Sequence, residues 1–309
     1  MNMTNTPTYI FEELQRRKVP VELINEKAML MRYFHNDDWH FVKGCFDEKA
    51  SIMATKICND KTLAEYIARE VGLHVPASMR FTNEADAMEF IREYGPTVVK
   101  PVDTAHGHGI SMNVRSRTGI KRALMHAKKY SKKKPMLQQY VSGHDVRLLI
   151  IDGKYAAAVR RVPAMVTGDG THTVAELIEI ENNQPYRSSG LSGKLKIISL
   201  RSAKAYLERH IRKIPKEGEQ VAVVGVSNTS MGGHAEDFTV QVPKDIRRKA
   251  EAFAKRLHMP LCGVDIILND NGDYSFIEAN SSPGFGPHHH PRFGKSRNVT
   301  KKYVDYLLK

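Results

Sequence analysis

Apolar and polar positions alternate along this chain with two periods, and the switches between them mark out its elements. Helical spacing runs through "PTYIFEELQRRKV" (7–19), "NDKTLAEYIAREVGL" (59–73), "RTGIKRALMHAKKYSKK" (117–133), "PKDIRRKAEAFAKRLHM" (243–259) and the tail "NVTKKYVDYLLK" (298–309). The second of these helices opens on the capping residues Asn59 and Asp60 and stops at Gly72. Strand-like runs lie between. "PVELIN" (20–25) precedes a hairpin expected around Asn36-Asp37-Asp38, which closes a small α/β unit over the first fifty residues. "VPASMRFTNEADAMEFIREYG" (75–95) predicts a strand and then a helix opened by Thr82 and Asn83, and "PTVVKPVDTAHGHGISMNV" (96–114) predicts two strands about a glycine-containing loop. "PMLQQYVSGHDVRLLIIDGKYAAAVRRVPAMV" (135–166) reads as a pair of strands turning at Asp152-Gly153. Residues 168–220 are polar and mixed, and are expected to form loops and helices over the sheet, followed by a strand and loop in "EQVAVVGVSNTSMGG" (219–233). No internal repeat or low-complexity linker interrupts the pattern.

The stretch "VDIILNDNGDYSFIEANSSPG" (264–284) is the most informative. Asn271-Gly272 predicts a two-residue type I′ turn, since both positions tolerate positive φ. That turn fixes a register in which Asp270 faces Asp273, Leu268 faces Ser275, Ile266 faces Ile277 and Asp265 faces Glu278, with Asn280 on the face of Glu278. Val264, Ile266, Leu268, Ile277 and Ala279 then form the core face. Opposed carboxylates with Cβ atoms about 5 Å apart repel by roughly 3 kcal/mol at an effective dielectric near 20. A bound cation, a raised pKa or a basic side chain reaching in must offset that. Two carboxylates and an amide oxygen form a hard-oxygen set suited to magnesium.

Other chemistry is weaker residue by residue. Lys100 ends a strand and is followed by Gly107 and Gly109, an arrangement that offers amide N–H groups and a point charge to a polyphosphate. An ordinary hairpin turn is the competing reading of that loop, and a surface lysine that of Lys61. Arg147 lies inside "DVRLLII" and needs an anion, either a structural carboxylate or a substrate. "SNTSMGGHAED" (227–237) offers donors to a carboxylate or forms a plain turn. The run His288–His290 is read as a loop lining a mouth, because adjacent residues chelate one ion poorly.

Composition narrows the class. Lys plus Arg is 47 against 34 for Asp plus Glu, a net charge of +13, which points to anionic partners. The basic residues are dispersed apart from "KKYSKKK" (128–134), and one Trp is available for stacking, so neither nucleic acid nor membrane is an expected partner. Three widely spaced cysteines without a C-x-x-C motif imply a reducing compartment. "MNMTNTPTYIFEEL" lacks the apolar core of a signal peptide and no apolar run approaches 18 residues, so a cytoplasmic protein is expected.

Taken in order, Asp-Lys opening a helix, "VVKP", a small-residue loop, "LQQYVSGHDVRLLI", "GVDII" and "FIEANSSPG" resemble the ATP-grasp superfamily of carboxylate–amine ligases. Within it, "PVDTAHGHGI", "RVPAMVTGDGTHTVAELI", "ENNQPYR", "VSNTSMGGHAEDFT" and "HHHPRFGKSRNV" are most similar to the ATP-grasp module of cyanophycin synthetase and of bifunctional glutathione synthetase, over roughly residues 15–309. The resemblance implies an α/β (α+β) fold whose two lobes grip ATP, with a short segment over 1–55, an N-lobe and lid over 56–137 and a C-lobe over 138–309.

It also implies roles. Lys61 and Lys100 would hold ATP phosphates beneath a loop containing His106, Gly107 and Gly109. Gln138, Gln139, Tyr140 and Val141 would contact adenine through backbone groups, and Asp145 would lie near the ribose. Asp265, Glu278 and Asn280 would bind two magnesium ions, with manganese able to substitute. Arg161 and Arg147, with Lys100, would act on the reacting carboxylate or transferred phosphate. His106, Ser230, Gly232 and Gly233 would lie on the amino-acid side. The implied chemistry is an acyl phosphate formed from ATP and displaced by an amine, on an amino acid or an acidic or γ-glutamyl peptide, with a homodimer or homotetramer compatible with the resemblance. Glycine addition to γ-glutamylcysteine and a non-catalytic ATP-binding role are the alternatives. Two departures stand out. Gln138 replaces a common acid, and Arg160 replaces a common Glu, adding charge beside Arg161.

Overall fold

Asn36 and Asp37 both adopt positive φ, 50° and 61°, and so close a two-residue turn between strands Leu30–His35 and Asp38–Lys43. The computed structural model describes residues 5–104, 108–188, 195–225 and 231–309. The chain partitions into two units, one of residues 1–44, 157–240 and 284–309, the other of 45–156 and 241–283.

In the first unit the Asn36-Asp37 hairpin pairs with strand Val21–Asn25. Helix Asn5–Arg16 packs on the C-terminal helix Val299–Leu307. The Tyr33 hydroxyl donates to the Leu307 carbonyl at 3.0 Å, which ties the tail helix to the hairpin. The polar stretch after residue 168 builds a core of its own. Helix Val174–Asn182 starts at a capping box between Thr173 and Glu176. It buries Val174, Leu177 and Ile178 against Val166, Ala203 and Val223.

The second unit contains two antiparallel sheets. One has the order Ser78–Arg80, Met136–Gln139, Thr97–Lys100, Ser111–Val114. Helices Glu84–Tyr94 and Arg117–Lys128 cover it, burying Ala87, Phe90, Ile120 and Ala123 against Val99 and Leu137. In the other, His144–Ile151 and Tyr274–Asn280 flank Leu261–Leu268. Helix Lys244–Arg256 and the helix pair Ile52–Cys58 and Lys61–Glu70 pack near it. The fold is α+β with antiparallel sheets. The span 135–166, expected as two strands, holds four: Met136–Gln139, His144–Ile151, Lys154–Val162 and Met165–Thr167.

The hairpin after Leu268 departs from its expected turn. Asn269 N–H donates to Asp273 O at 2.9 Å, leaving a three-residue loop, Asp270 to Gly272, with Gly272 at φ 90°. The first pairs are therefore Leu268 with Tyr274, Ile267 with Ser275 and Ile266 with Phe276. An irregularity then absorbs one residue, and Asp265 faces Glu278 after all. Phe276 is buried in place of Ile277, which is half-buried. Among the described residues no helix is long and apolar enough to cross a membrane.

Candidate active site

Helix Lys61–Glu70 begins where Asp60 accepts hydrogen bonds from the N–H groups of Thr62 and Leu63 at 3.0 and 3.4 Å. The cap places Lys61 in the first helical turn, and its side chain is only 8 % exposed, so it is not a surface lysine. Lys61 Nζ donates to the Thr104 carbonyl at 2.7 Å and lies 3.9 Å from Glu278 Oε2. Lys100 ends its strand 2 % exposed and donates to Gln138 Oε1 at 2.9 Å. Burial, and then the neighbouring charge of Lys61, push its pKa down to about 8.

The Asp265–Glu278 pair stands beside these lysines. Asp265 is fully buried, and strand register sets it between Glu278 on one side and Arg147 on the other. Arg147 donates from Nε and Nη2 to the two Asp265 oxygens at 2.6 and 2.7 Å. Its Nη2 also lies 4.0 Å from Glu278 Oε1. Of the three ways to offset the facing carboxylates, the structure supplies a basic side chain, and of the two anions open to Arg147, a structural carboxylate. Asn280 donates to Asp265 Oδ2 at 3.4 Å. Glu278 stays 30 % exposed. With Asn280, Lys61, Asn59, Asp60, Thr104 and Lys133 it lines a cleft of about 550 Å³. Among the described residues no three His, Cys, Asp or Glu side chains gather as a metal cluster, so the candidate set is two carboxylates and an amide.

The segment 138–141 leaves the same unit's first sheet. Gln139 N–H and Tyr140 N–H are bonded to the Ala77 and Pro96 carbonyls, both at 2.8 Å. Asp145 is half-buried in the neighbouring strand, paired opposite Ile267. Gly109, at φ 76°, packs so closely on Pro101 that an added Cβ would meet its Cγ at 2.8 Å. His106 and Gly107 lie outside the described residues, as does Ser230.

Arg161, Gly232 and Gly233 belong to the first unit. Arg161 sits in strand Lys154–Val162 opposite Ala235. Arg160 faces Glu236 and donates to it from Nε at 2.7 Å, so the positive charge expected beside Arg161 is neutralised. His234 Nε2 lies 3.2 Å from the other Glu236 oxygen, and burial holds its pKa low. Gly232, at φ 92°, packs against Ile198, where a Cβ would approach Cγ1 to 2.7 Å. Its carbonyl accepts from the buried Arg187 at 2.8 Å. The run His288–His290 is not the open loop expected. Gly286–His289 forms a short helix with His288 buried, and His289 Nε2 lies 2.7 Å from Thr300 Oγ1.

Three residues escape a sequence reading. Arg187 and Glu236 carry no motif of their own, although each sits in a block that does. Glu65 lies four residues after Lys61 on the same helix and is buried, its carboxylate accepting from Gln138 Nε2 at 2.7 Å. Helical spacing alone marks it as a neighbour of Lys61.

Residues 68–175 match the family model of the prokaryotic glutathione synthetase ATP-grasp domain. Cyanophycin synthetase of Synechocystis sp. is 31 % identical over 97 % of this chain and 36 % of its own. The bifunctional glutathione biosynthesis protein of Pasteurella multocida is 28 % identical over 98 % of this chain and 42 % of its own. The crystal structure of a bifunctional glutathione synthetase from that organism superposes with a TM-score of 0.70 at 27 % identity, covering 99 % of this chain and 43 % of that one. The chain therefore spans less than half the length of these relatives.

Proposed function

Because the chain belongs to the ATP-grasp superfamily, we propose that it is a Mg-ATP-dependent ligase joining a carboxylate to an amine. The observation that carries this reading is the gathering of Lys61, Glu278 and Asn280 around one cleft, with Lys100 and Asp265 buried behind it. Lys61 and Lys100 bind the phosphates as point charges. Gln139 and Tyr140 have committed their N–H groups to the protein, so the remaining backbone groups of 138–141 would meet adenine, with Asp145 toward the ribose.

The donor set fits magnesium. Glu278 and Asn280 line the cleft, and Asp265, buried with both oxygens engaged by Arg147, would stand beside them as the third hard oxygen donor. Bound magnesium supplies neutralisation of phosphate charge there. Arg147 holds Asp265 in place and brings a guanidinium to within 4.0 Å of Glu278. In the first unit, Arg161 with Ser230, Gly232 and Gly233 takes the amino-acid or acidic-peptide substrate. The γ-phosphoryl group passes to the substrate carboxylate, and the amine nitrogen then attacks the acyl carbon and expels phosphate. Positioning and charge, not a side-chain nucleophile, carry such a reaction. The three described cysteines are buried thiols, in keeping with that and with a cytoplasmic setting.

The matched glutathione synthetase model favours a second reading, addition of glycine to γ-glutamylcysteine. Phosphate release from Mg-ATP against a matrix of amino acids, dipeptides and acidic peptides tests both. Release that requires a carboxylate and an amine together supports a ligase, and release confined to γ-glutamylcysteine with glycine selects the second reading. Absence of release with every pair counts against both.

A further inference from the structure

Helix Lys61–Glu70 reaches both lysines. Lys61 lies on the cleft, and Glu65, one turn on along the same face, points its carboxylate at Gln138. Gln138 stands between two charges, accepting from Lys100 at Oε1 (2.9 Å) and donating to Glu65 from Nε2 (2.7 Å). A primary amide has two ends of opposite character, and only one orientation serves both neighbours. An ionised carboxylate accepts and cannot donate, so Glu65 draws the NH₂ group to itself and turns the oxygen toward the ammonium. Glu65 is itself held by the Ser78 hydroxyl, and Arg69 Nη2 lies 3.5 Å away. A buried ammonium also needs a compensating charge nearby, and the amide alone carries none.

We propose that Glu65 is the positioning residue for Lys100, setting through Gln138 the direction and charge balance of the lysine that faces the nucleotide phosphates. The inference rests on the nucleotide reading of the cleft. A purely structural network joining helix to sheet makes a different prediction. It loses stability when either partner is changed and gains nothing from moving the charge.

The test is Mg-ADP affinity by calorimetry for the wild type, E65Q, Q138E and the E65Q/Q138E double variant, with thermal unfolding of each. In E65Q a second amide lets Gln138 turn either way, and ADP binding weakens by about tenfold, equivalent to about 1.4 kcal/mol. Q138E sets two carboxylates side by side and also weakens binding. The double variant returns one carboxylate beside Lys100 and recovers affinity to within about threefold of wild type, a strongly non-additive cycle. E65Q that binds like wild type, or a double variant whose loss equals the product of the two single losses, overturns the relay. Should E65Q not fold, the double variant decides alone: folded with near-native affinity supports the relay, and unfolded or non-binding overturns it. A wild type that binds no Mg-ADP overturns the nucleotide reading and this inference with it, an outcome distinct from binding that is indifferent to Glu65.

Discussion

Arg147 meets Asp265 in a two-pronged ion pair, Nε to Oδ1 at 2.6 Å and Nη2 to Oδ2 at 2.7 Å, with the carboxylate fully buried. The pair places a guanidinium where the facing carboxylates of Asp265 and Glu278 would otherwise repel. It also separates two roles that look equivalent in the sequence. Asp265 is a structural charge first, and Glu278 is the carboxylate open to the cleft.

Changing Asp265 to Asn therefore affects stability as well as chemistry. Removing one partner of a buried pair leaves the other uncompensated, at a cost of about 3–5 kcal/mol, and Arg147 is itself largely buried. The expected result is a Tm several degrees lower together with lost ATP turnover. A Tm unchanged from wild type would show that the pair contributes nothing to the fold.

Changing Glu278 to Gln keeps the shape and removes a charge from the cleft. Glu278 lies 3.9 Å from Lys61 Nζ and 4.0 Å from Arg147 Nη2, both long for an ion pair, so the fold is expected to survive with its Tm nearly unchanged. ATP turnover should fall by at least about 10²-fold, as losses of preorganised charge do. Turnover like that of wild type would remove Glu278 from the metal set.

Lys100 gives the site a pH signature. Its folded pKa, lowered to about 8 by burial and Lys61 against partial support from Glu65 and Glu278, lies below its ordinary value of 10.5. Above about pH 8 the lysine of the free protein is neutral, while phosphate favours its charged form. Nucleotide binding should then take up a proton at pH 8.5 and weaken as pH rises past 8. For stability the sign is the reverse of a paired lysine. The unfolded chain binds the extra proton between pH 8 and 10.5, so this group's burial cost is greatest below pH 8 and relieved above it. Calorimetry in buffers of different ionisation enthalpy measures the uptake, and K100M should abolish it. Uptake unchanged in K100M would assign the proton elsewhere.

Arg161 is expected to act on the substrate. R161A should raise KM for the carboxylate substrate or lower kcat by about tenfold or more, with Mg-ADP affinity retained. Normal kinetics with every substrate would exclude it.

Much of this site is legible in the sequence, and the hairpin shows how. The Asn-Gly signal locates the turn but not its length, because a type I′ turn and a three-residue loop ending in positive-φ Gly272 share the same residues. The one-residue slip this introduces is cancelled by the irregularity beyond Ile266, so the Asp265–Glu278 pairing comes out as expected for an incomplete reason. Helix Ile52–Cys58 is not legible. It buries only Ala54 and Cys58, while its large apolar residues Ile52 and Met53 face outward, the inverse of an amphipathic pattern. The stretch after residue 168 reads as surface because its buried positions are thinly spread among polar ones, yet they converge on a core of their own. Glu65 is missed for a different reason. Its partner Gln138 is 73 residues away, and no local spacing records that contact.

The proposed reaction passes through an acyl phosphate made from the substrate's own carboxylate. Oxygen tracing separates this route from others: the first carboxylate and amine pair that supports turnover carries ¹⁸O in the carboxylate, and both products are read by mass spectrometry. One ¹⁸O is expected in the released phosphate, with a product lighter than the two substrates by one labelled water. Phosphate free of label, with its oxygen drawn from solvent, would contradict it.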